Sequence, residues 1–254
     1  MLQQADCILC EDTRQTKKLL NHYEFHATNQ RLICANEHTE RSLTSFITEE
    51  IQQGKIIALV SDAGTPGICD PGFPLIQHAH LHKLPVIPVP GPSALTTFLS
   101  CIGAHPQPIY FVGFFPKKEQ AILDRIAQYR PEDYLLVFLE SPQRIAKTVR
   151  LLQQELPSST PCYIGRELTK LYEQIWTGTL DALAQAITEE TIPQRGEFIV
   201  GLSLSKSTSD RWQEAALSLV QDLGVKKTSL WISEHFEVRK NQVYDFLTEV
   251  NRLK

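Results

Sequence analysis

KIIALVSDAGTPGICDPG, residues 55–72, is the stretch that decides the fold. Lys55–Val60 is a short apolar run bounded by turn residues, which reads as a buried strand. Ser61–Gly72 mixes Gly, Pro and Asp, residues that build rigid turns and let a ligand approach the backbone closely. Seven of the 15 prolines and four of the 12 glycines lie between Gly64 and Pro92, so the whole region is rich in such turns. In an open α/β sheet, ligands bind at the carboxyl ends of the strands, which makes this loop a ligand candidate. The alternative is a turn that only redirects the chain. A second unit repeats the arrangement: strand Leu84–Val89, loop PGPSA (Pro90–Ala94), then an apolar helix over Leu95–Ile102 with Ser93 at its N-cap. Two such units put both loops on one sheet edge and together suggest one ligand site. No G-x-G occurs and no G-K-[ST] follows a Gly-rich loop, which makes a dinucleotide or P-loop reading weaker still.

Outward from this centre, short β-type runs alternate with helical patterns, the signature of α/β architecture with mainly parallel strands. The remaining strand candidates are Ala5–Cys10, Arg31–Ala35, Ile109–Phe114, Tyr134–Leu139, Pro161–Gly165, Tyr172–Trp176 and Glu197–Leu202. Arg41–Gln53 places Leu43, Phe46, Ile47 and Ile51 on one helical stripe closed by Gly54. Ser141 as N-cap and Pro142 as first helical residue open a helix over Gln143–Glu155. A turn-rich break at Gly103–Gln107 separates two α/β halves, 1–107 and 108–204. The remainder, 205–254, is helical in pattern. Its charge over 206–254 is +1 (8 basic, 7 acidic residues) against −5 (17 and 22) for 1–204.

The 254 residues carry a net charge of −4, so bulk charge does not hold nucleic acid or an anionic membrane, and any basic site is local. The apolar runs are far shorter than a bilayer span, and the N-terminus MLQQADCILCEDTR lacks the pattern of a signal peptide. A cytoplasmic protein is the expectation. Six dispersed cysteines suit free buried thiols rather than a disulfide framework. Cys7 and Cys10 form a C-x-x-C with no second pair to complete a zinc set, so they read as core residues. His78, His80 and His82 lack a third ligand and read as a solvated face. No metal site is expected.

Eight segments, in order, carry a resemblance: EDTRQTKKLLNHY (Glu11–Tyr23), NEHTE (Asn36–Glu40), SDAGTPGICDPG, VPGPSA, YFVGFFPKK (Tyr110–Lys118), ESPQRI (Glu140–Ile145), GRELTKLYE (Gly165–Glu173) and GEFIVGL (Gly196–Leu202). They resemble the tetrapyrrole-methylase-like family, and within it the bacterial small-subunit ribosomal RNA cytidine 2′-O-methyltransferases. The resemblance implies two α/β domains with S-adenosylmethionine in the cleft between them, and a homodimer; the helical pattern of 205–254 reads as a small appended C-terminal helical module. It implies that Asp62, Ala63, Gly64, Thr65, Pro66, Ser93 and Ala94 contact the cofactor, largely through backbone. Arg166, Glu167, Gly196, Glu197 and Phe198 would line the other wall. The family pattern begins with a further strand and a TPIGNL-type loop ahead of the segment matching Ala5. The resemblance therefore implies one more strand of the first sheet and one more wall of the cleft than this sequence contains.

Methyl transfer to a ribose hydroxyl needs a near-attack geometry and a group to take the hydroxyl proton. Glu11, Asp12, His38 and Glu167 are the candidate bases. Asp12 with Gln15 is equally well read as a capping pair for a helix from Thr13. Three basic sets are candidates for holding ribosomal RNA: Arg14, Lys17 and Lys18; Lys117 and Lys118; Arg239 and Lys240. Thr228–Phe236, a turn, and Arg239–Val250 read as helix-turn-helix, with Leu230, Ile232, Val238, Val243 and Phe246 for its core. A helical cap or dimer element is the alternative. Two other readings of the whole chain stay open: a methyltransferase of tetrapyrrole precursors, and a non-catalytic RNA-binding or assembly protein.

Overall fold

The structure, a computed structural model, describes residues 2–25, 30–104, 107–128, 133–205, 208–236 and 238–252. It is an α/β protein with two sheets and a helical C-terminal module. The first sheet holds β1 (Cys7–Cys10), β2 (Arg31–Cys34) and β3 (Ile57–Val60) in the order β2-β1-β3, all parallel. All four residues of β1 are buried because both faces are covered, as parallel strands require. Cys7 and Leu9 pack towards Ile47 of α2 (Thr44–Gln52) and Leu75 of α3 (Phe73–Leu81). Ile8 packs oppositely, against Leu20 of α1 (Thr13–His22). Cys10 stands level with both Cys34 and Val60, so all three strands deliver their following loops to one edge. Among the described residues β3 pairs on one side only.

The second sheet has β4 (Ile109–Phe114), β5 (Tyr134–Glu140), β6 (Pro161–Arg166), β7 (Gln174–Thr179) and β8 (Phe198–Leu204), in the order β4-β5-β8-β6-β7. Only β4 and β5 are parallel; the other neighbours are antiparallel, which corrects the mainly parallel expectation for this half. The reason is connection length: β6 and β7 are joined by residues 167–173, far fewer than a parallel crossover needs. One face packs on α6 (Ile145–Glu155) and α7 (Leu180–Thr188) through Val149, Leu152, Leu183 and Ile187. The other face receives α4 (Ala94–Cys101), whose Phe98 is fully buried with Leu135, Val137 and Ile199. Phe98 fits because Gly165 and Gly201 leave room: a Cβ on either would lie 2.9 or 3.2 Å from its ring. The helix following the PGPSA loop is thus anchored in the second sheet.

Several expected elements differ. Leu84–Val89 forms no strand; Pro85 and Pro88 remove two amide donors, and Ile87 is 73% exposed. Residues 40–43 form a 3-10 turn ahead of α2 rather than one helix from Arg41. Ser141 is no side-chain cap: its carbonyl accepts the amides of Arg144 and Ile145, and α6 starts only at Ile145. β7 starts at Gln174, two residues later than expected. In the module, α8 (Thr208–His235) is broken at Gly224 (φ 73°, ψ 161°) and packs against α9 (Lys240–Arg252). Ile232 and Val243 are buried and Val238 and Phe246 pack against them, whereas Leu230 faces solvent and is no core residue. Part of the break expected at 103–107 lies outside the described residues.

All six cysteines are free, and Cys7, Cys10 and Cys162 are buried; Cys69 and Cys101 are exposed, contrary to the expectation of buried thiols throughout. Burial pushes the Cys7 thiol up to about 11 and that of Cys162 to about 12. His78 is not on a solvated face: its Nε2 lies 2.8 Å from Thr48 Oγ1 and its ring stacks on His82. Among the described residues no cluster of three metal-binding side chains occurs, and no helix is long and apolar enough to cross a membrane.

Candidate functional site

The level ends of β1 and β3 place Glu11–Asp12 beside Ser61–Asp62, and the Asp12 amide donates to Asp62 Oδ1 at 3.2 Å. These adjacent carboxylates, Glu11 and Asp12, have opposite environments. Asp12 caps α1 through the Arg14 amide (2.8 Å) and takes a forked ion pair from the Arg14 guanidinium (2.7 Å to Nη2). The Arg14 hydrogen bonds hold its carboxyl down at about 2. Asp12 is therefore a structural cap whose carboxylate is held chiefly by Arg14 and to a lesser extent by the Gln15 amide, while the Gln15 side chain faces Lys18 instead of closing a capping box. Glu11 is pushed above the ordinary carboxylate range, first by desolvation and then by the charges of Asp62, Asp70 and Asp12. Diverging neighbours of this kind separate a proton acceptor from a fixed charge.

The 61–72 loop is internally built. Ser61 Oγ donates to the carbonyls of Ala63 and Gly64, each at 3.2 Å. Gly64 and Gly67 both adopt φ +81°. Thr65 Oγ1 donates to the Pro92 carbonyl at 3.2 Å, so the DAGTP and PGPS loops touch, as one ligand site requires. Asp62, Ala63, Gly64, Thr65 and Ala94 stand exposed, with Pro66 and Ser93 half-buried. Ser93 is the N-cap of α4 by position, with no side-chain capping bond. At the far end of the loop the Gly72 amide donates to Glu40 Oε2 at 2.6 Å, and a Cβ on Gly72 (φ +136°) would lie 2.8 Å from Leu59 Cδ2.

Two residues of this site were not among the expected site residues, although each lies in a segment that carries the resemblance. Glu40 closes the NEHTE segment, and the fold sets it under Gly72. Asp70 is shifted upward by desolvation first and then by Asp62 and Glu197, while a hydrogen bond from Ser61 opposes the shift. The charge of Glu197 at Asp70 brings in the second wall. There, Glu167 (φ 50°) and Gly196 (φ 86°) lie back to back, with the Glu197 amide donating to Glu167 Oε1 at 2.9 Å. Lys170 Nζ bridges Glu167 Oε1 (2.8 Å) and Glu197 Oε2 (3.0 Å). Lys170 holds the Glu167 carboxyl below its usual range, which disfavours it as a base. Any side chain on Gly196 would collide with that of Glu167.

Other candidates stand apart. The Arg166 guanidinium is buried and donates to the carbonyls of Arg195 (2.7 Å) and Tyr172 (3.2 Å), so it braces the wall. The Phe198 ring belongs to the sheet core, leaving only its backbone for a ligand. His38 is 82% exposed beside Glu37, in a turn organised by Asn36 Oδ1, and among the described residues no hydrogen bond joins it to the acidic set. Arg14, Lys17 and Lys18 line the outer face of α1, Lys117 and Lys118 an exposed turn after β4, and Arg239 and Lys240 the start of α9. β4 lies near the cleft, since a Cβ on Gly113 would stand 3.5 Å from Cys69 Sγ.

A cleft with glycine-lined loops on one side and a carboxylate-rich floor suits a cationic ligand carried on exposed backbone. The model of the Tetrapyrrole (Corrin/Porphyrin) Methylases matches residues 1–184, and the chain belongs to this family. It is a methyltransferase whose methyl donor is S-adenosylmethionine. Among curated relatives, "Ribosomal RNA small subunit methyltransferase I" of Haemophilus influenzae is 33% identical, over 96% of this chain and 87% of that protein. The protein of the same name from Synechocystis is 34% identical, over 98% and 90%. Among solved structures, the methyltransferase CobJ (TM-score 0.51, 15% identity, 78% of this chain and 94% of that one) shares the fold. So does the uroporphyrin-III-C-methyltransferase of Thermus thermophilus (0.52, 15%, 78% and 82%).

Proposed function

We propose that this protein methylates the 2′-hydroxyl of a cytidine in small-subunit ribosomal RNA. The observation that carries the site chemistry is the divergence of Glu11 and Asp12 at the level strand ends. The substrate class rests on the relatives named as ribosomal RNA small subunit methyltransferase I, which match nearly the whole chain.

The donor fits the cleft by the chemistry of the groups present. Backbone of Asp62–Pro66 and of Ser93–Ala94 would hold it on one side, and Glu167, Gly196, Glu197 and the Phe198 backbone on the other, with Arg166 bracing that wall. When bound, the donor supplies an electrophilic methyl carbon on a cationic sulfur. The carboxylates of Glu11, Asp62 and Asp70 favour a cation there and repel phosphate. RNA is therefore gripped outside the cleft, by Arg14, Lys17 and Lys18, by Lys117 and Lys118, and by Arg239 and Lys240. Glu11 accepts the hydroxyl proton; desolvation and its acidic neighbours raise its affinity for protons above that of an ordinary glutamate, and a positioned base contributes ~10²–10⁴-fold. Alignment of the two reactants supplies a further ~7–11 kcal/mol. The protein works in the cytoplasm as a homodimer of units 1–107, 108–204 and 205–254. Exposed Leu81, Ile87, Leu171 and Tyr172 offer apolar surface to a second copy.

The test is methyl incorporation into small-subunit particles from a strain lacking the gene, followed by mapping of 2′-O-methyl cytidine. Glu11→Gln is expected to lower kcat by ~10²–10⁴-fold, with a much smaller rise in the KM for S-adenosylmethionine from the lost carboxylate charge. Label entering a tetrapyrrole precursor instead of RNA would replace the substrate. RNA binding without methyl transfer would leave an assembly protein.

A further inference from the structure

The turn that carries Lys117 and Lys118 is held far more firmly than an exposed loop requires. Its first residue, Phe115, is buried and stacks on Phe138, centroids 3.7 Å apart and planes 5° from parallel. Arg144 donates from Nη1 to the Phe115 carbonyl (3.2 Å) and from Nη2 to the Pro116 carbonyl (2.7 Å). The same Nη2 lies 3.4 Å from Glu140 Oε2. Glu140 is buried, and its other bonds come from the Ser141 amide (2.8 Å) and Thr148 Oγ1 (2.7 Å). Beyond the lysines, Glu119 at the start of α5 (Glu119–Gln128) pairs with Lys147 Nζ of α6 at 2.8 Å. The segment is thus fixed by the Arg144 fork before Lys117 and Lys118 and tethered more weakly after them by an exposed ion pair; the two lysines stand exposed between, with no ion pair among the described residues.

We propose that Arg144, seconded by the Glu119–Lys147 pair, is a positioning residue that presets Lys117 and Lys118 as a rigid pair of phosphate contacts for the RNA substrate. The inference rests on the RNA reading above. A planar fork that grips two carbonyls fixes a backbone in a way a lysine ammonium does not. Ordering the two lysines beforehand removes an entropic cost from binding.

The experiment titrates small-subunit particles and S-adenosylmethionine separately in the methyl-transfer assay. Arg144→Lys keeps a cation beside buried Glu140, and Glu119→Gln cuts an exposed pair, so the second variant reports even where the first folds poorly. Arg144→Lys should raise the KM for RNA about five- to tenfold and leave that for S-adenosylmethionine unchanged. Glu119→Gln separates positioning from charge by sign. Removing an acid beside two lysines strengthens phosphate binding if charge alone matters, and weakens it about two- to threefold if positioning matters. In a protein already carrying Lys117→Glu and Lys118→Glu, Arg144→Lys should add no further loss. Wild-type RNA KM in Arg144→Lys, tighter binding in Glu119→Gln, or fully additive losses would overturn the inference while leaving the lysines as contacts. A lysine double variant with unchanged RNA KM and salt dependence would remove the RNA reading of this loop, and the inference with it.

Discussion

The two sheets divide the work between them. The second sheet is the larger and is buried at its centre: in β5 and in β8 six of seven residues are buried, and its faces are covered by α4 on one side and α6 and α7 on the other. The first sheet has strands of four residues, and only β1 is fully buried. Its three strands are parallel and end level, so their loops project together. The antiparallel neighbours of the second sheet send successive connections to opposite ends. The small sheet concentrates chemistry at one edge, and the large sheet supplies the rigidity against which that edge is set.

The largest effect should come from breaking the link between them. Phe98→Ala removes a fully buried ring whose space Gly165 and Gly201 keep open. A loss of ~3–5 kcal/mol in denaturant unfolding is expected. It should also weaken S-adenosylmethionine binding, because α4 carries the PGPSA loop. The counterpart in the first sheet, Ile57→Val at a half-buried position, should cost only ~0.5–1.5 kcal/mol. Equal losses at the two positions would end the division into scaffold and working edge.

A smaller effect tests how the working edge is held. Gly72→Ala forces a side chain into φ +136° and towards Leu59, which lies 2.8 Å from the Cβ position. Such strain costs on the order of 1–3 kcal/mol. Glu40→Gln keeps the acceptor for the Gly72 amide and should cost less than Gly72→Ala in the same melt. If Gly72→Ala is silent in both the melt and the S-adenosylmethionine titration, the far end of the loop is not a fixed point.

What the sequence disclosed follows the same divide. The 61–72 loop was legible because its Gly and Pro content states a backbone requirement directly. Leu84–Val89 misled because an apolar run is written the same way whether or not a strand stands beside it; its two prolines were the contrary signal. The antiparallel half of the second sheet was legible in principle. The strand candidates Pro161–Gly165 and Tyr172–Trp176 are separated by six residues, too few for a parallel crossover. The NEHTE, 61–72 and ESPQRI segments marked Glu40, Asp70 and Arg144 only as parts of motifs, and their roles were not legible. Those roles are contacts across 28 to 32 residues for Arg144 and Glu40, and a cross-wall charge for Asp70, and these exist only once the chain is folded.

The smallest expected effect is also the sharpest on the site, because it asks two adjacent carboxylates for opposite signs. Asp12 is held down at about 2 by Arg14, so the folded state favours its charged form. Its contribution to stability is present above the ordinary carboxylate range and is lost as pH falls through about 2. Asp12→Asn should therefore melt below the wild type at pH 6, with the gap closing in acid. Glu11 is pushed up by desolvation and by its acidic neighbours, so the folded state disfavours its charge. The wild type loses that stability as pH rises through the raised folded value. Glu11→Gln should melt at or above the wild type at neutral pH, with the advantage fading below the ordinary glutamate range. Paired melting curves from about pH 2 to pH 8 read both signs on one axis. Displacement of both variants in the same direction would mean that Glu11 and Asp12 share one environment, and the assignment of one as proton acceptor and the other as helix cap would fall.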